Sequence, residues 1–222
     1  QAAAWARPFY TPNAGVVLAP VPLYHVYSLT ANLLCFVELG AENVLITDPR
    51  DLAGFVALLR KTRFAFMTGV NTLYNALLHA PGFDTLDFSS LRVAMGGGMA
   101  VQREVAERWQ AVTGVVITQG YGLTEASPIV AANPLDAKTF NGAAGLPFPS
   151  TDVGIFADDG RQLGLGEVGE ICCRGPQVMA GYWQRPDETA QVLFGDGWLR
   201  TGDIGHLDAA GYLFIEDRKK DV

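Results

Sequence analysis

The chain has 222 residues, of which 49% are hydrophobic, and a formal net charge of −7 from 16 basic and 23 acidic side chains. This length and apolar share are enough to bury a substantial core, in one large or two small domains. The acidic balance argues against a nucleic-acid-binding surface, so no nucleic-acid partner is expected.

Strand and helix signals alternate over the first 140 residues, after an opening dozen residues with no clear element. Short β-type runs predict strands at 15–19, 43–47, 64–67, 91–95 and 115–118. Apolar content and spacing predict helices at 24–39, 52–59 with Asp51 as cap, 73–78 and 101–113, the last ending at Gly114. This alternation predicts an α/β fold with a mostly parallel sheet flanked by helices.

The pattern changes near residue 141, where glycines and prolines mark a junction. Beyond it, short strands are predicted at 153–156 and 170–173, and a last hairpin joins 204–207 to 212–215. Short strands with turn signals predict a small β-barrel-like or β-sandwich module. We therefore expect an α/β subdomain at 1–140 and a β-rich, barrel-like subdomain at 141–216.

A glycine-rich motif, Gly120-Tyr121-Gly122-Leu123-Thr124-Glu125, follows the strand predicted at 115–118. It is expected at the carboxyl end of that strand, where ligands bind in open α/β sheets. Glycines let a backbone approach a ligand closely. Thr124 offers a hydroxyl, and Glu125 offers a carboxylate suited to a hard cation such as Mg²⁺. A plain turn before a helix cap has the same composition, so the motif alone leaves both interpretations open.

Two further motifs follow in order, Gly197-Trp198-Leu199-Arg200-Thr201-Gly202-Asp203 and Asp217-Arg218-Lys219-Lys220-Asp221. Together with the central motif they resemble the adenylate-forming acyl-CoA synthetases in order and spacing across almost the whole chain. The segments 22–25, 69–77, 87–91 and 175–183 are most similar to bacterial long-chain fatty acyl-CoA synthetases. The resemblance implies fatty acid, ATP and coenzyme A as substrates, and Mg²⁺ as the metal.

The implied reaction has two halves, attack of a carboxylate on the α-phosphate of ATP and then attack of the coenzyme A thiol on the acyl-adenylate. Phosphoryl attack depends mainly on positioning and charge neutralisation. By resemblance, Thr124 and Glu125 are the catalytic residues: Thr124 hydrogen-bonds the α-phosphate and Glu125 holds Mg²⁺. Tyr121, between Gly120 and Gly122, lies along the adenylate.

The same resemblance assigns the rest of the nucleotide site. Gly96, Gly97 and Gly98 form a flat wall against adenine and the acyl chain. Asp203, expected in a loop before the last hairpin, binds the ribose 2′ and 3′ hydroxyls, because a carboxylate can accept two hydrogen bonds. Arg218 pairs with it. The glycine loop and the central motif are expected at strand carboxyl ends, where they converge on one pocket.

Two assignments concern the acyl pocket and a domain hinge. His25 borders the acyl pocket and the coenzyme A entry in the resemblance, beside Gly97 and Gly98, and a core or surface histidine is the competing interpretation. Lys220 matches the position at which the family turns its carboxyl-terminal domain between half-reactions. Residues 217–222 are therefore expected to begin a hinge to that domain.

The sequence departs from the family pattern at both ends. A Ser/Thr/Gly-rich phosphate loop ending in Pro-Lys-Gly is expected before Gly15, and an adenylation lysine is expected in a carboxyl-terminal domain; neither is found. We interpret the chain as an internal fragment that does not form acyl-CoA alone. Two alternatives stay open: adenylation of another acid (aryl, medium-chain, luciferase-like or loaded onto a carrier protein), and a nucleotide- or acyl-binding module without turnover.

Location is inferred from cysteines and hydropathy. No signal peptide is recognised, and Cys35, Cys172 and Cys173 form no Cys-x-x-Cys pair, which favours buried thiols and a cytoplasmic protein. Residues 8–37 carry no charged side chain, but prolines such as Pro20 interrupt them. They therefore do not resemble a spanning helix of about 20 apolar residues. Peripheral contact with the inner membrane and oligomerisation stay open.

Overall fold

The computed structural model describes residues 1–10 and 16–218. The chain folds into two compact units, which are treated separately below. The first holds residues 1–119 and 134–142, and the second holds residues 120–133 and those from 143 onward. The division predicted at residue 140 stays a proposal.

The first unit is built on a parallel sheet with the strand order β2-β1-β3-β4-β5. The strands are β1 (Val16–Ala19), β2 (Asn43–Leu45), β3 (Phe64–Gly69), β4 (Val93–Gly96) and the first half of β5 (Ile117–Gly122). Six helices accompany them in the described residues: α1 (Ala2–Ala6), α2 (Val26–Ser28), α3 (Cys35–Glu38), α4 (Leu52–Lys61), α5 (Asn71–His79) and α6 (Arg103–Thr113). The predicted α/β class is confirmed.

Side chains from alternate strand positions form a core on each face of this sheet, because successive residues of a strand point to opposite sides. Leu18 and Met67 pack into one cluster with α4, α5 and α6. Val17 and Phe66 pack into another with residues of α1 and α3. The central strand β3 is buried along its whole length, as expected for a sheet covered on both faces.

Local end signals act as predicted in this unit. Asp51 caps α4, since its Oδ1 accepts a hydrogen bond from the Gly54 amide at 2.9 Å. Gly114 ends α6 with a φ of +74°, which a residue without a Cβ adopts at no steric cost. The helix predicted at 24–39 differs in one respect: a π-helical segment, Leu29–Leu34, separates α2 from α3. Its Asn32 is fully buried and donates a hydrogen bond to the Leu18 carbonyl at 3.1 Å.

The second unit is antiparallel. The second half of β5 pairs with β6 (Ile129–Ala132), which pairs with β7 (Leu146–Pro147). The other sheet contains β8 (Asp152–Phe156), β9 (Gly169–Arg174), β10 (Leu193–Phe194), β11 (Trp198–Leu207) and β12 (Leu213–Arg218). One helix, α7 (Pro186–Val192), precedes β10. An isolated bridge joins Gly145 to Leu213, and Ala131, Ile155 and Ile171 share one buried cluster. The two sheets therefore enclose a common core, as the barrel-like prediction required.

Two sequence expectations about side chains and membranes have clear outcomes. Cys35, Cys172 and Cys173 are buried free thiols, as predicted. Among the described residues, no helix combines the length and apolar character that a membrane span requires.

Candidate nucleotide site

The central motif straddles a strand end and a short 3₁₀ turn. Gly120, Tyr121 and Gly122 are the last residues of β5, and Thr124–Ala126 form the turn that follows. A Cβ at Gly122 would collide with the Pro128 carbonyl oxygen, which accepts a hydrogen bond from the Leu123 amide at 2.9 Å. The fold of the motif itself therefore requires a glycine at this position.

Replacing Gly122 by alanine is expected to lower the free energy of unfolding by about 1–3 kcal/mol, the usual cost of overpacking a tight site. Urea unfolding of the two proteins measures the difference. Gly164→Ala is the matched control, because the nearest atom to a Cβ there is an oxygen of the flexible Glu167 side chain, at 3.1 Å. Equal midpoints for Gly122→Ala and the parent would contradict the close approach to Pro128.

Thr124 and Glu125 differ in their surroundings. The Thr124 side chain is exposed, and its hydroxyl makes no hydrogen bond to another described residue. Glu125 is half-buried: its Oε1 accepts a hydrogen bond from the Tyr182 hydroxyl at 2.8 Å, and its carbonyl accepts one from the Met179 amide at 2.8 Å. Burial and the Glu125 carboxylate raise the pKa of Tyr182 to about 12.

Tyr182 contacts the central motif although the two lie far apart in the sequence. Its side chain is 37% exposed and reaches Glu125 across 57 residues of sequence. The nearest sequence signal was its position in the segment 175–183 that resembles the family.

Asp203 lies within β11, and the prediction of a loop is wrong. The strand continues through Gly202, whose φ is +75°, and its pairing with β9 shifts register between Arg200 and Ile204. The glycine and the following aspartate resemble a turn in sequence, but β12 pairs alongside and keeps Asp203 in register with Arg218.

A hydrogen-bonded cluster surrounds Asp203, which is only 6% exposed. Arg218 Nε donates to Oδ1 at 3.1 Å, and the Tyr121 hydroxyl donates to Oδ2 at 2.5 Å. The Asp203 amide donates to Thr201 Oγ1 at 3.1 Å. Burial, with the Asp203 charge and hydrogen bond, holds the pKa of Tyr121 far above its usual range, so the phenol stays a donor. Three residues of the predicted site are thus brought together.

The glycines at 96–98 lie at the carboxyl end of β4 in the first unit, as predicted, and Gly96 is the last residue of that strand. A Cβ on Gly97 would lie 3.0 Å from the Tyr27 ring, and the Tyr27 hydroxyl donates to the Met95 carbonyl at 2.8 Å. Gly98 has a φ of +77°. Packing and backbone conformation thus account for these glycines without a ligand. Their contact with adenine, and their convergence with the central motif, stay predictions.

His25 and Lys220 have separate outcomes. His25 is exposed and caps α2, since its Nδ1 accepts a hydrogen bond from the Tyr27 amide at 3.2 Å. Its predicted place at the acyl pocket stays a prediction. Lys220 lies outside the described residues. An open, mostly apolar cleft of about 350 Å³ lies in the first unit, lined by residues that include Val21, Val70 and Leu73 but neither His25 nor the glycine loop.

Metal binding at this motif rests on a single carboxylate. The described residues contain no group of three or more histidine, cysteine, aspartate or glutamate side chains that could hold a metal. A dedicated all-protein metal cage is therefore not part of the described structure. In nucleotide sites Mg²⁺ is usually held by one or two carboxylates together with substrate phosphates. Glu125 fits that chemistry, since only Oε1 receives a hydrogen bond from the described residues.

The AMP-binding enzyme family matches residues 1–183. The chain belongs to this family. The Yersinia pestis long-chain-fatty-acid–CoA ligase is 54% identical over 222 residues, which is 100% of this chain and 39% of the relative. The Bacillus subtilis protein of that name is 42% identical over 95% of this chain and 37% of its own. Potato (Solanum tuberosum) 4-coumarate–CoA ligase 1 is 36% identical over 96% of this chain and 40% of its own length.

Solved structures are also similar to the chain. The anthranilate CoA ligase AuaEII, in complex with anthranoyl-AMP, matches with a TM-score of 0.89 and 25% identity over 99% of this chain and 43% of its own. The Bacillus subtilis o-succinylbenzoate CoA synthetase MenE, in complex with AMP, matches with a TM-score of 0.84 and 27% identity over 99% of this chain and 44% of its own. The chain spans about two fifths of the curated relatives it matches.

Proposed function

We propose that the protein carrying this sequence is an AMP-forming long-chain-fatty-acid–CoA ligase. It activates a fatty acid with ATP as an acyl-adenylate and then transfers the acyl group to coenzyme A. The observation that carries the proposal is the identity of 51–54%, over 97–100% of the chain, with bacterial relatives of that name. We place it in the cytoplasm, and peripheral membrane contact and oligomerisation stay predictions.

Different residues of the second unit bind different parts of the nucleotide. The exposed Thr124 hydroxyl donates to the α-phosphate, and Glu125 is the carboxylate that holds Mg²⁺. When bound, Mg²⁺ supplies positive charge against the phosphates. Asp203 binds the ribose hydroxyls: a carboxylate offers about four acceptor positions, and Tyr121 and Arg218 occupy two of them.

Arg218 and Tyr121 support this assignment physically. Both donate to Asp203, so they fix its orientation. The carboxylate is buried, and a hydrogen bond formed there is stronger than one formed in water. A fixed, charged acceptor suits a pair of neighbouring hydroxyls.

A panel of acids tests the substrate class. For the full-length protein that carries this sequence, given ATP and coenzyme A, kcat/KM for palmitate is expected to exceed that for octanoate or 4-coumarate by about tenfold or more, because each buried CH₂ contributes about 0.8 kcal/mol. Release of AMP and formation of the thioester are both measured. A preference for 4-coumarate or octanoate would select the alternative acids, and AMP binding without any AMP release would select the non-catalytic module.

A further inference from the structure

The segment that carries Tyr182 is attached to the central motif by more than one contact. The Met179 amide donates to the Glu125 carbonyl at 2.8 Å, and Gln177 Nε2 donates to the Ile129 carbonyl at 3.0 Å. Met179 also packs against the buried cluster that includes Ala126. Backbone, side-chain and apolar contacts therefore hold this segment in one place beside the turn that bears Glu125.

Contacts with α7 fix the backbone of Tyr182. Its amide donates to Thr189 Oγ1 at 2.9 Å, and the Thr189 hydroxyl donates to the Arg185 carbonyl at 2.8 Å. Gly181 has a φ of +150°, and a Cβ there would lie 2.9 Å from Thr189 Cγ2. The backbone that presents the phenol is thus fixed against the start of α7.

The Tyr182 hydroxyl donates to one oxygen of Glu125 only. Rotation about the last torsion of a glutamate side chain has a broad energy well, so a carboxylate with no anchor samples many orientations. A hydrogen bond to Oε1 fixes the plane of the group and leaves Oε2 for a cation. Groups that hydrogen-bond a metal ligand commonly set its orientation in this way.

We propose that Tyr182 is a positioning residue, which orients the Glu125 carboxylate for Mg²⁺ bound with the nucleotide. The inference rests on the proposed function, since it requires Glu125 to be the metal ligand. Losing such a hydrogen bond commonly reduces metal affinity by about 10–100-fold. Because Tyr182 is partly exposed, water replaces some of the lost interaction, and the lower end is expected.

Tyr182→Phe removes the hydroxyl and keeps the ring. The test is equilibrium ATP binding by titration calorimetry, without fatty acid, in excess Mg²⁺ and in EDTA. The variant is expected to bind ATP about tenfold more weakly in Mg²⁺, because its affinity for the metal is reduced by about that factor. Its ATP affinity in EDTA and its unfolding midpoint should equal those of the parent. Trp183→Phe, at an exposed neighbouring position, is the control and should match the parent in both buffers.

Glu125→Gln separates failure of this inference from failure of the proposed metal site. It should lose the Mg²⁺-dependent part of ATP binding, and adding Tyr182→Phe to it should cause no further loss, since coupled residues are not additive. If Glu125→Gln binds like the parent, the proposed metal site is wrong. The positioning role is overturned if Glu125→Gln loses the Mg²⁺-dependent part of ATP binding while Tyr182→Phe keeps it. It is also overturned if Tyr182→Phe weakens ATP binding equally in Mg²⁺ and in EDTA.

Discussion

Replacing Asp203 by alanine is expected to weaken AMP binding by about ten- to hundredfold, since a hydrogen bond to a charged group contributes about 1.5–3 kcal/mol. The carboxylate is buried and already oriented by Tyr121 and Arg218, so little is lost in ordering it when ribose binds. In the full-length protein that carries this sequence, turnover at saturating ATP should fall less than affinity, because the ribose is bound similarly before and during phosphoryl attack.

The alanine variant also leaves the Tyr121 hydroxyl without its acceptor, so a second variant is needed. Asp203→Asn keeps one oxygen for a donor and keeps the volume, and it should lie between the parent and alanine in AMP affinity. Asp152→Ala is the matched control, because that aspartate pairs with Arg174 on the surface of the same unit. Equilibrium titration with AMP is the measurement. If the Asp203→Ala protein binds AMP like the parent, this aspartate only stabilises the pairing of β11 with β12.

Local signals predicted most of the α/β unit because they act over a few residues. Asp51 is three residues from the amide that it caps, and Gly114 directly follows the helix that it ends. The buried β-type run 64–67 appears as a strand at the expected place, with its carboxyl end shifted by two residues. These features depend on backbone conformation and periodicity, which short stretches of sequence specify.

The contacts that build the site are of another kind. The Tyr121–Asp203 hydrogen bond spans 82 residues, and the Tyr182–Glu125 bond spans 57. Packing of the second unit's two sheets around a shared core brings the first pair together, and packing of the segment 175–183 against the motif brings the second pair together. Neither leaves a periodic trace in the sequence. The loop predicted for Asp203 was wrong for the same reason: Gly202 resembles a turn until its pairing strands are known.

Short elements were missed for a related reason. β7 has two residues, too few for alternation to be visible, and β6 is a run of four apolar residues that shows no alternation. The predicted roles of Thr124, Glu125, Asp203 and Arg218 came from their resemblance to a family. The structure adds which neighbours orient Glu125 and Asp203.

In the full-length protein that carries this sequence, replacing Glu125 by glutamine is expected to reduce turnover by about 10²–10³, the usual effect of removing one group that stabilises transition-state charge. Glutamine keeps the shape and an oxygen that accepts from Tyr182, so the loss reports the missing negative charge on the metal ligand. AMP binding without metal should change little, because the ribose contact at Asp203 is intact. Single-turnover formation of the acyl-adenylate, measured over a range of Mg²⁺ concentrations at saturating ATP, separates metal binding from the chemical step.

Glu167→Gln, a surface change in the same unit, is the control. Parent-like turnover at every Mg²⁺ concentration would show that Glu125 only stabilises the turn at residues 124–126 and that another group binds the metal.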